Sequence, residues 1–171
     1  GIMKRFLPKM YKKNIFDINY DKLKEKGIKI LLFDFDNTII EKGNYKTNNK
    51  TKELIDLLKK DFTIYVMSNS LNKNKLDKVC GEYGIPYINN SRKPFKSGFK
   101  KLKINVSNEE IALIGDQLLT DIWGASRMNY YPVLTDPISE NELVWTKFNR
   151  VLEKLIIKFN KNTIKRGEYY E

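Results

Sequence analysis

Continuous apolar runs alternate along the chain with segments whose apolar residues recur at helical spacing. The apolar runs predict five strands, at residues 28–34, 62–68, 85–88, 109–116 and 131–134. The amphipathic segments predict helices at about 20–26, 49–60, 72–83, 94–103 and 119–128. Strands that alternate with helices form parallel sheets covered on both faces. The pattern therefore predicts an α/β fold, a Rossmann-like three-layer sandwich with a parallel five-stranded sheet.

Two terminal segments lie outside this alternation. Residues 1–27 form a basic N-terminal arm that ends in the first predicted helix, which Gly27 terminates. The predicted core spans residues 28–136, and residues 137–171 form a C-terminal segment.

In the C-terminal segment, Ser139 and Glu142 match a capping box that opens a helix to about residue 160. One broad face of this helix is apolar, and basic residues flank it: Lys147, Arg150, Lys154, Lys158 and Lys161. Such a helix can dock on the sheet with its lysines in water, or rest on an anionic membrane. The last residues, 163–171, are expected to form a mobile tail.

The amino-acid composition excludes several kinds of active site and metal site. A chain of 171 residues is long enough for one domain with a proper core. It contains no histidine, which excludes Ser-His-Asp triads and histidine zinc sites. Its one cysteine, Cys80, has no partner for a disulfide or a CxxC pair. Helical spacing with Leu76 and Tyr83 predicts that Cys80 is a small core residue.

The charge is strongly unbalanced, with 32 basic and 21 acidic residues and a net charge of +11. This predicts attraction to an acidic partner: a phosphorylated substrate, an anionic membrane or nucleic acid. A solvated lysine-rich surface explains the same charge without any partner. No apolar run approaches the roughly 18 residues of a membrane-spanning helix. We therefore expect a soluble, cytoplasmic protein that can still lie peripherally on a membrane.

Polar residues occur where four predicted strands end. They are Asp34 and Asp36, then Ser68 and Asn69, then Lys93, and finally Asp116 with Asp121. Ligands of open α/β sheets bind beyond the carboxyl ends of the strands, so these residues are expected to share one site. Each feature alone is typical of a turn or a cap, and the prediction rests on their succession.

The chemistry that fits is metal-assisted phosphoryl transfer through an aspartyl-phosphate. Carboxylates suit a hard cation such as Mg²⁺, here with Asp34, Asp36 and Asp116 as predicted ligands. Asp34 is the predicted nucleophile. Asp36 lies two residues on, on the same side of an extended strand, and is the predicted general acid and base.

The remaining polar residues have predicted supporting roles. Ser68 and Asn69 would hold phosphate oxygens, and Lys93 would neutralise charge in the transition state. Asp121 would orient the metal waters or Lys93, and Thr38 is a further supporting residue.

At these residues the chain resembles a known superfamily. "LLFDFDNT", "VMSNS", "RKP" and "IGDQLLTD" resemble motifs I to IV of the haloacid dehalogenase (HAD) superfamily, and the second aspartate resembles its phosphatase branch. Ser68 follows Asp34 by 34 positions and Lys93 follows Ser68 by 25, which leaves no room for the superfamily's cap domains. The resemblance therefore implies a capless HAD phosphatase with an open site.

Most of the chain also resembles one branch of that superfamily. The segments "MKRFLPKMYKKNIFDINYDKLKEKGIKILLFDFDNT" and "GDQLLTDIWGASRMNYYPVLTDPI" resemble the YqeG-type subfamily IIIA phosphatases. That subfamily is related to phosphatidylglycerophosphate phosphatases, which implies a lipid head-group substrate and contact with a membrane.

Other interpretations stay open at this point. The substrate could instead be a polynucleotide end or a soluble phosphate ester, although no RNP-like aromatic motif accompanies the basic charge. A phospho-accepting signalling module uses similar residues, but in a different order along the chain. A basic binding module without activity is a third interpretation. The sequence leaves the oligomeric state open.

Overall fold

A computed structural model describes residues 5–139, 151 and 164–171. Its centre is one parallel sheet of six strands in the order β1-β6-β5-β2-β3-β4. The strands are β1 (Met10–Lys12), β2 (Ile30–Phe33), β3 (Thr63–Met67), β4 (Tyr87–Ile88), β5 (Ile111–Gly115) and β6 (Tyr131–Thr135). The helices are α1 (Tyr20–Glu25), α2 (Asn49–Leu58), α3 (Lys73–Tyr83) and α4 (Trp123–Arg127).

Strand alternation divides the core between the two faces of the sheet. On β2, Leu31 and Phe33 pack with residues of α1, α2 and α3 on one face. Ile30 and Leu32 face the other way and pack with Phe99 and with Ala125 of α4. Because both faces of the sheet are covered, the strands are apolar throughout, as buried parallel strands are. The predicted three-layer α/β sandwich is confirmed.

The prediction of five strands was wrong by one. Met10–Lys12 in the N-terminal arm pairs with β6, with Tyr11 opposite Leu134. Only Met10 and Tyr11 of this strand are fully buried. So short a strand in a lysine-rich segment produces no recognisable periodicity.

The helix predicted over residues 94–103 was also wrong. That segment contains only a 3₁₀ turn, Phe99–Lys101. A side-chain carbon on Gly98 would lie 2.0 Å from the backbone oxygen of Ser91, so the loop folds tightly back on itself here. This path directs Lys93 inward instead of continuing a helix.

The expectation of a mobile tail was wrong for the residues that the structure describes there. Tyr170 forms two backbone hydrogen bonds with Tyr11, both 2.9 Å long, in an antiparallel bridge beside β1. Ile164 is buried, and the Glu171 carboxylate lies 2.9 Å from the Lys12 ammonium. The predicted basic C-terminal helix lies outside the described residues. None of the helices in the described ranges is both long and apolar enough to cross a membrane.

Candidate active site

The carboxyl ends of the central strands place the predicted site residues at one edge of the sheet. β2 lies between β3 and β5, with Phe33 opposite both Val66 and Ile114. The chain leaves these three strands at neighbouring points, so Asp34, Ser68 and Asp116 emerge side by side. Parallel register alone thus brings together residues that are far apart in sequence.

Three carboxylates form the centre of the site. Oxygen atoms of Asp34, Asp116 and Asp121 all lie within 4.8 Å of one another. Asp116 and Asp121 are buried, whereas the Asp34 side chain keeps 14% of its accessible surface. Asp34 is therefore the carboxylate of this group that an incoming molecule can reach most directly.

Lys93 supplies the positive charge at this centre. Its ammonium group donates to Asp34 Oδ1 at 3.0 Å, to Asp121 Oδ1 at 2.6 Å and to the backbone oxygen of Met67 at 2.7 Å. Burial disfavours the charged ammonium, but the charges of Asp121 and Asp34 outweigh it and raise the pKa of Lys93. Lys93 is thus held as a fixed cation against the predicted nucleophile.

One ammonium does not balance three clustered carboxylates. Burial, together with the charge of Asp34, raises the pKa of Asp121 to about 7. Burial and the charges of Asp34 and Asp121 raise the pKa of Asp116 well above its usual range. A divalent cation bound by oxygen atoms would remove this repulsion, and clustered carboxylates are the donors that Mg²⁺ prefers. The donor set therefore fits the predicted metal.

The carboxylate group differs in one member from the predicted ligands. Asp121 belongs to it, whereas the side chain of Asp36, a predicted ligand, points to another set of partners. The reason is local: β2 ends at Phe33 and a turn begins at Phe35, whose backbone oxygen accepts from the Thr38 N–H at 3.2 Å, with Asn37 at a φ of 61°. The two-residue alternation of a strand therefore no longer applies at Asp36.

Gly115 makes room for Asp121. A side-chain carbon at Gly115 would lie 2.2 Å from the carboxylate carbon of Asp121. Asp121 also accepts a hydrogen bond from the backbone N–H of Gln117 at 3.2 Å. Gly115 thus leaves room for the Asp121 carboxylate, and the next residue, Asp116, contributes a second carboxylate to the group.

The Asp36 carboxylate is held by two residues that the sequence analysis missed. Lys75 donates to both of its oxygens, at 3.2 and 2.9 Å, and the Tyr45 hydroxyl donates to it at 2.9 Å. Lys75 also donates to the Tyr45 hydroxyl at 2.9 Å, and the Tyr45 ring stacks on Phe35. Lys75 and Tyr45 lie on separate elements, and only the fold brings them to Asp36.

Residues after β3 shape the neighbouring loop. Ser68 is buried, and its hydroxyl accepts from the backbone N–H of Ser70 at 3.0 Å. Both polar atoms of the Asn69 side chain bond the backbone of Lys93, at 2.8 and 3.0 Å. Asn69 thus positions Lys93, and the phosphate contact expected of Asn69 stays a prediction.

The loop after β2 is fixed by further hydrogen bonds. The Thr38 hydroxyl donates to Asp116 Oδ1 at 3.2 Å, as suits its predicted supporting role. The side-chain oxygen of Asn37 accepts from the backbone N–H of Lys42 at 3.0 Å and from the Ser139 hydroxyl at 2.6 Å. The HAD cap domains would be inserted between Asp34 and Ser68 or between Ser68 and Lys93. Neither interval holds an inserted domain, because α2 and β3 fill the first and α3 and β4 fill the second. No domain inserted within residues 5–139 covers the site.

The chain is similar to known proteins over most of its length. A profile of the family described as mitochondrial PGP phosphatase matches residues 3–139. The Bacillus subtilis protein named "Probable phosphatase YqeG" is 37% identical over 161 residues, which is 91% of this chain and 92% of that protein. "Phosphatidylglycerophosphate phosphatase 1, chloroplastic/mitochondrial" of Arabidopsis thaliana is 29% identical over 147 residues, 80% of this chain and 42% of that protein.

A solved structure supports the fold independently. The crystal structure of a hypothetical protein from Xanthomonas campestris matches with a TM-score of 0.51 at 13% sequence identity, covering 78% of each chain. At this identity the likeness concerns the fold alone.

Proposed function

We propose that this chain, which belongs to the family of the mitochondrial phosphatidylglycerophosphate (PGP) phosphatases within the HAD phosphatases, removes the phosphate from PGP or a similar anionic phosphate ester. The reaction would use Mg²⁺ and pass through an aspartyl-phosphate on Asp34. One observation carries the proposal. Asp34 is the reachable member of a buried carboxylate group, and the Lys93 ammonium lies 3.0 Å from it. That arrangement places a nucleophile beside a cation that can stabilise negative charge on the transferring phosphoryl group.

In the first step a carboxylate oxygen of Asp34 attacks phosphorus, and the bond between phosphorus and the ester oxygen breaks. Asp36, in its protonated form, gives its proton to the departing alkoxide. Lys93, which is itself buried, offsets negative charge on the transferring group. Mg²⁺, held by Asp34, Asp116 and Asp121, would add positive charge beside that group.

In the second step Asp36, now a carboxylate, removes a proton from water. The water oxygen attacks phosphorus, and the bond between phosphorus and Asp34 breaks. Inorganic phosphate leaves, and both aspartates return to their starting forms. In the carboxylate form that acts in this step, Asp36 is held in one orientation by hydrogen bonds from Lys75 and Tyr45.

Three observations support a lipid phosphate as the substrate. A relative is named for PGP, and the matched family is described by the same substrate. The net charge of +11 favours an anionic substrate or surface. The lack of an inserted cap within residues 5–139 leaves space for a substrate that stays embedded in a larger assembly. We therefore propose that the enzyme acts on lipid at a membrane surface.

The experiment is phosphate release from p-nitrophenyl phosphate and from PGP in vesicles, with Mg²⁺ or with EDTA. The wild type is compared with Asp34→Asn, which keeps the shape of the side chain and removes the nucleophile. Release from both substrates that requires Mg²⁺ and Asp34 is the expected result. Release from the small ester alone would keep the chemistry and reject the lipid.

A further inference from the structure

Large apolar side chains are exposed around the mouth of the candidate active site. Four such residues follow β3, β4, β5 and β6, three of them in loops and Leu119 in the helical turn Leu118–Ile122, with exposed fractions between 41% and 74%. They are Leu71, Phe95, Leu119 and Ile138. We name these four residues the apolar rim.

Hydrogen bonds join the loops of the apolar rim into one surface. The backbone N–H of Asn90 donates to the Ser70 oxygen at 2.9 Å, which ties the loop after β4 to the loop after β3. Lys93 ties the loop after β4 to Asp121, beyond β5. The backbone N–H of Ile138 donates to the Asn37 oxygen at 3.0 Å, which ties the loop after β6 to the loop after β2.

Single exposed apolar residues are normal on protein surfaces and need no explanation. The grouping here is different, because one such residue follows each of four strands at the same edge, β6 and β5 on one side of β2 and β3 and β4 on the other. The other large apolar residues exposed in the described ranges do not share that edge pattern: Leu57 on α2, Val151, and Tyr169 and Tyr170 in the C-terminal segment.

Exposed cations accompany the apolar rim. Arg92 and Lys96 flank Phe95, and Lys73 follows Leu71 by two positions. Lys42 and Lys46 are exposed in the loop after β2. Apolar tips beside basic side chains match the boundary of an anionic bilayer, where acyl chains lie below a layer of negative head groups.

We propose that the apolar rim inserts into the boundary region of an anionic phospholipid bilayer, with Arg92, Lys96 and Lys73 on the head groups. This inference rests on the proposed function, since it presents Asp34 to a phosphate that lies in the head-group layer. The sheet edge that holds the catalytic residues then faces the membrane. The substrate need not leave the bilayer.

A nucleic-acid partner fits this surface less well. Single strands are bound by aromatic side chains on which bases stack, together with a basic groove. Three of the four residues in the apolar rim are aliphatic, and aliphatic side chains partition into acyl chains. The composition of the rim therefore favours lipid.

The test uses the full chain with the rim made polar: Leu71→Gln, Phe95→Gln, Leu119→Gln and Ile138→Gln together. The matched control is Leu57→Gln, because Leu57 is 58% exposed on α2, away from the rim. Sedimentation measures binding to vesicles of phosphatidylglycerol and of phosphatidylcholine. Turnover is measured on PGP in vesicles and on p-nitrophenyl phosphate in solution.

The rim variant should bind phosphatidylglycerol vesicles at least about 10-fold more weakly than the wild type, because it loses apolar transfer free energy at four positions. Its turnover of PGP in vesicles should fall by a similar factor. Its turnover of p-nitrophenyl phosphate should stay within about 2-fold, and Leu57→Gln should match the wild type in every assay.

Unchanged vesicle binding by a folded rim variant would overturn the inference. So would binding that Arg92→Gln and Lys96→Gln abolish while the apolar substitutions have no effect, or binding to single-stranded RNA in preference to vesicles. The proposed function fails separately: a wild type that binds vesicles through its rim but releases no phosphate from either substrate would refute the activity and support the docking surface.

Discussion

The Lys75 ammonium lies 2.9 and 3.2 Å from the two carboxylate oxygens of Asp36. Lys75 is in the first turn of α3, and Asp36 is in the loop after β2. The pair therefore joins the proposed general acid to a helix that is anchored in the core. The pKa of Lys75 is raised, because its hydrogen bonds to Tyr45 and Asp36 outweigh the effect of burial.

Replacing Lys75 with methionine should lower kcat by about 10-fold to 100-fold, because general acid–base catalysis needs a positioned carboxyl group. KM for p-nitrophenyl phosphate should change little. Lys75→Arg, which keeps the charge and the donors, should restore most of the rate. A higher KM with an unchanged kcat would instead mean that Lys75 serves substrate binding, and would contradict this role.

Gly115→Ala should displace Asp121, since the new carbon would lie 2.2 Å from the Asp121 carboxylate carbon. We expect weaker Mg²⁺ binding and a loss of roughly 1–3 kcal/mol in the free energy of unfolding. Urea denaturation with and without Mg²⁺ measures both. Gly81→Ala is the control, because a carbon there meets open space within helix α3. That control should be neutral or stabilising by up to about 1 kcal/mol. A Gly115→Ala protein as stable as the Gly81→Ala control, with unchanged Mg²⁺ binding, would contradict the prediction that Asp121 is displaced.

Stabilisation by Mg²⁺ should be larger at about pH 8 than at about pH 5, because protons compete with the cation for the carboxylates. Burial and Asp34 raise the pKa of folded Asp121 from 3.8 to about 7. Between these two values the folded protein holds more protons than the unfolded chain, so this group makes the metal-free protein less stable as pH rises. Thermal unfolding with Mg²⁺ or EDTA across this range tests the prediction. Asp121→Asn should make the Mg²⁺-induced shift in Tm depend less on pH. An equal shift of the wild-type Tm at both pH values would contradict the prediction.

Tyr11→Phe should lower the free energy of unfolding by about 1–2 kcal/mol, because it removes both hydrogen bonds of a buried hydroxyl group. The buried Tyr11 hydroxyl donates to Asp136 and accepts from the Gly167 backbone N–H at 3.2 Å. The C-terminal residues should then exchange their backbone amide hydrogens faster. Tyr170→Phe, which loses one hydroxyl contact to the Pro8 oxygen, should have the smaller effect. Equal stability of Tyr11→Phe and the wild type would show that this contact is not needed.

Long apolar runs made most of the fold predictable. Strands such as Ile30–Phe33 and Ile111–Gly115 are buried on both faces, so their sequences are apolar throughout. The order of the polar residues after those strands was enough to predict one shared site, because parallel register brings strand ends together. Asp34, Lys93 and Asp116 were found in this way.

Features that depend on distant contacts could not be predicted. β1 and the C-terminal bridge at Tyr170 exist because they pair with each other and with β6, and neither has a pattern of its own. Lys75 and Tyr45 look like surface residues in the sequence, and only the turn that follows Phe33 aims Asp36 at them. The same turn explains why Asp121 replaces Asp36 in the carboxylate group.

The most direct test of the proposed aspartyl-phosphate mechanism is to trap the phosphoryl group on Asp34. Asp36→Asn is mixed with p-nitrophenyl phosphate and Mg²⁺, since this leaving group departs without a proton and the second step alone should slow. After an acid quench, mass spectrometry of the peptide that contains Asp34 reads the modification. We expect a burst of p-nitrophenolate equal to the enzyme concentration and phosphate on Asp34, with neither in Asp34→Asn. Turnover without a phosphorylated residue, or phosphate on a residue other than Asp34, would contradict it.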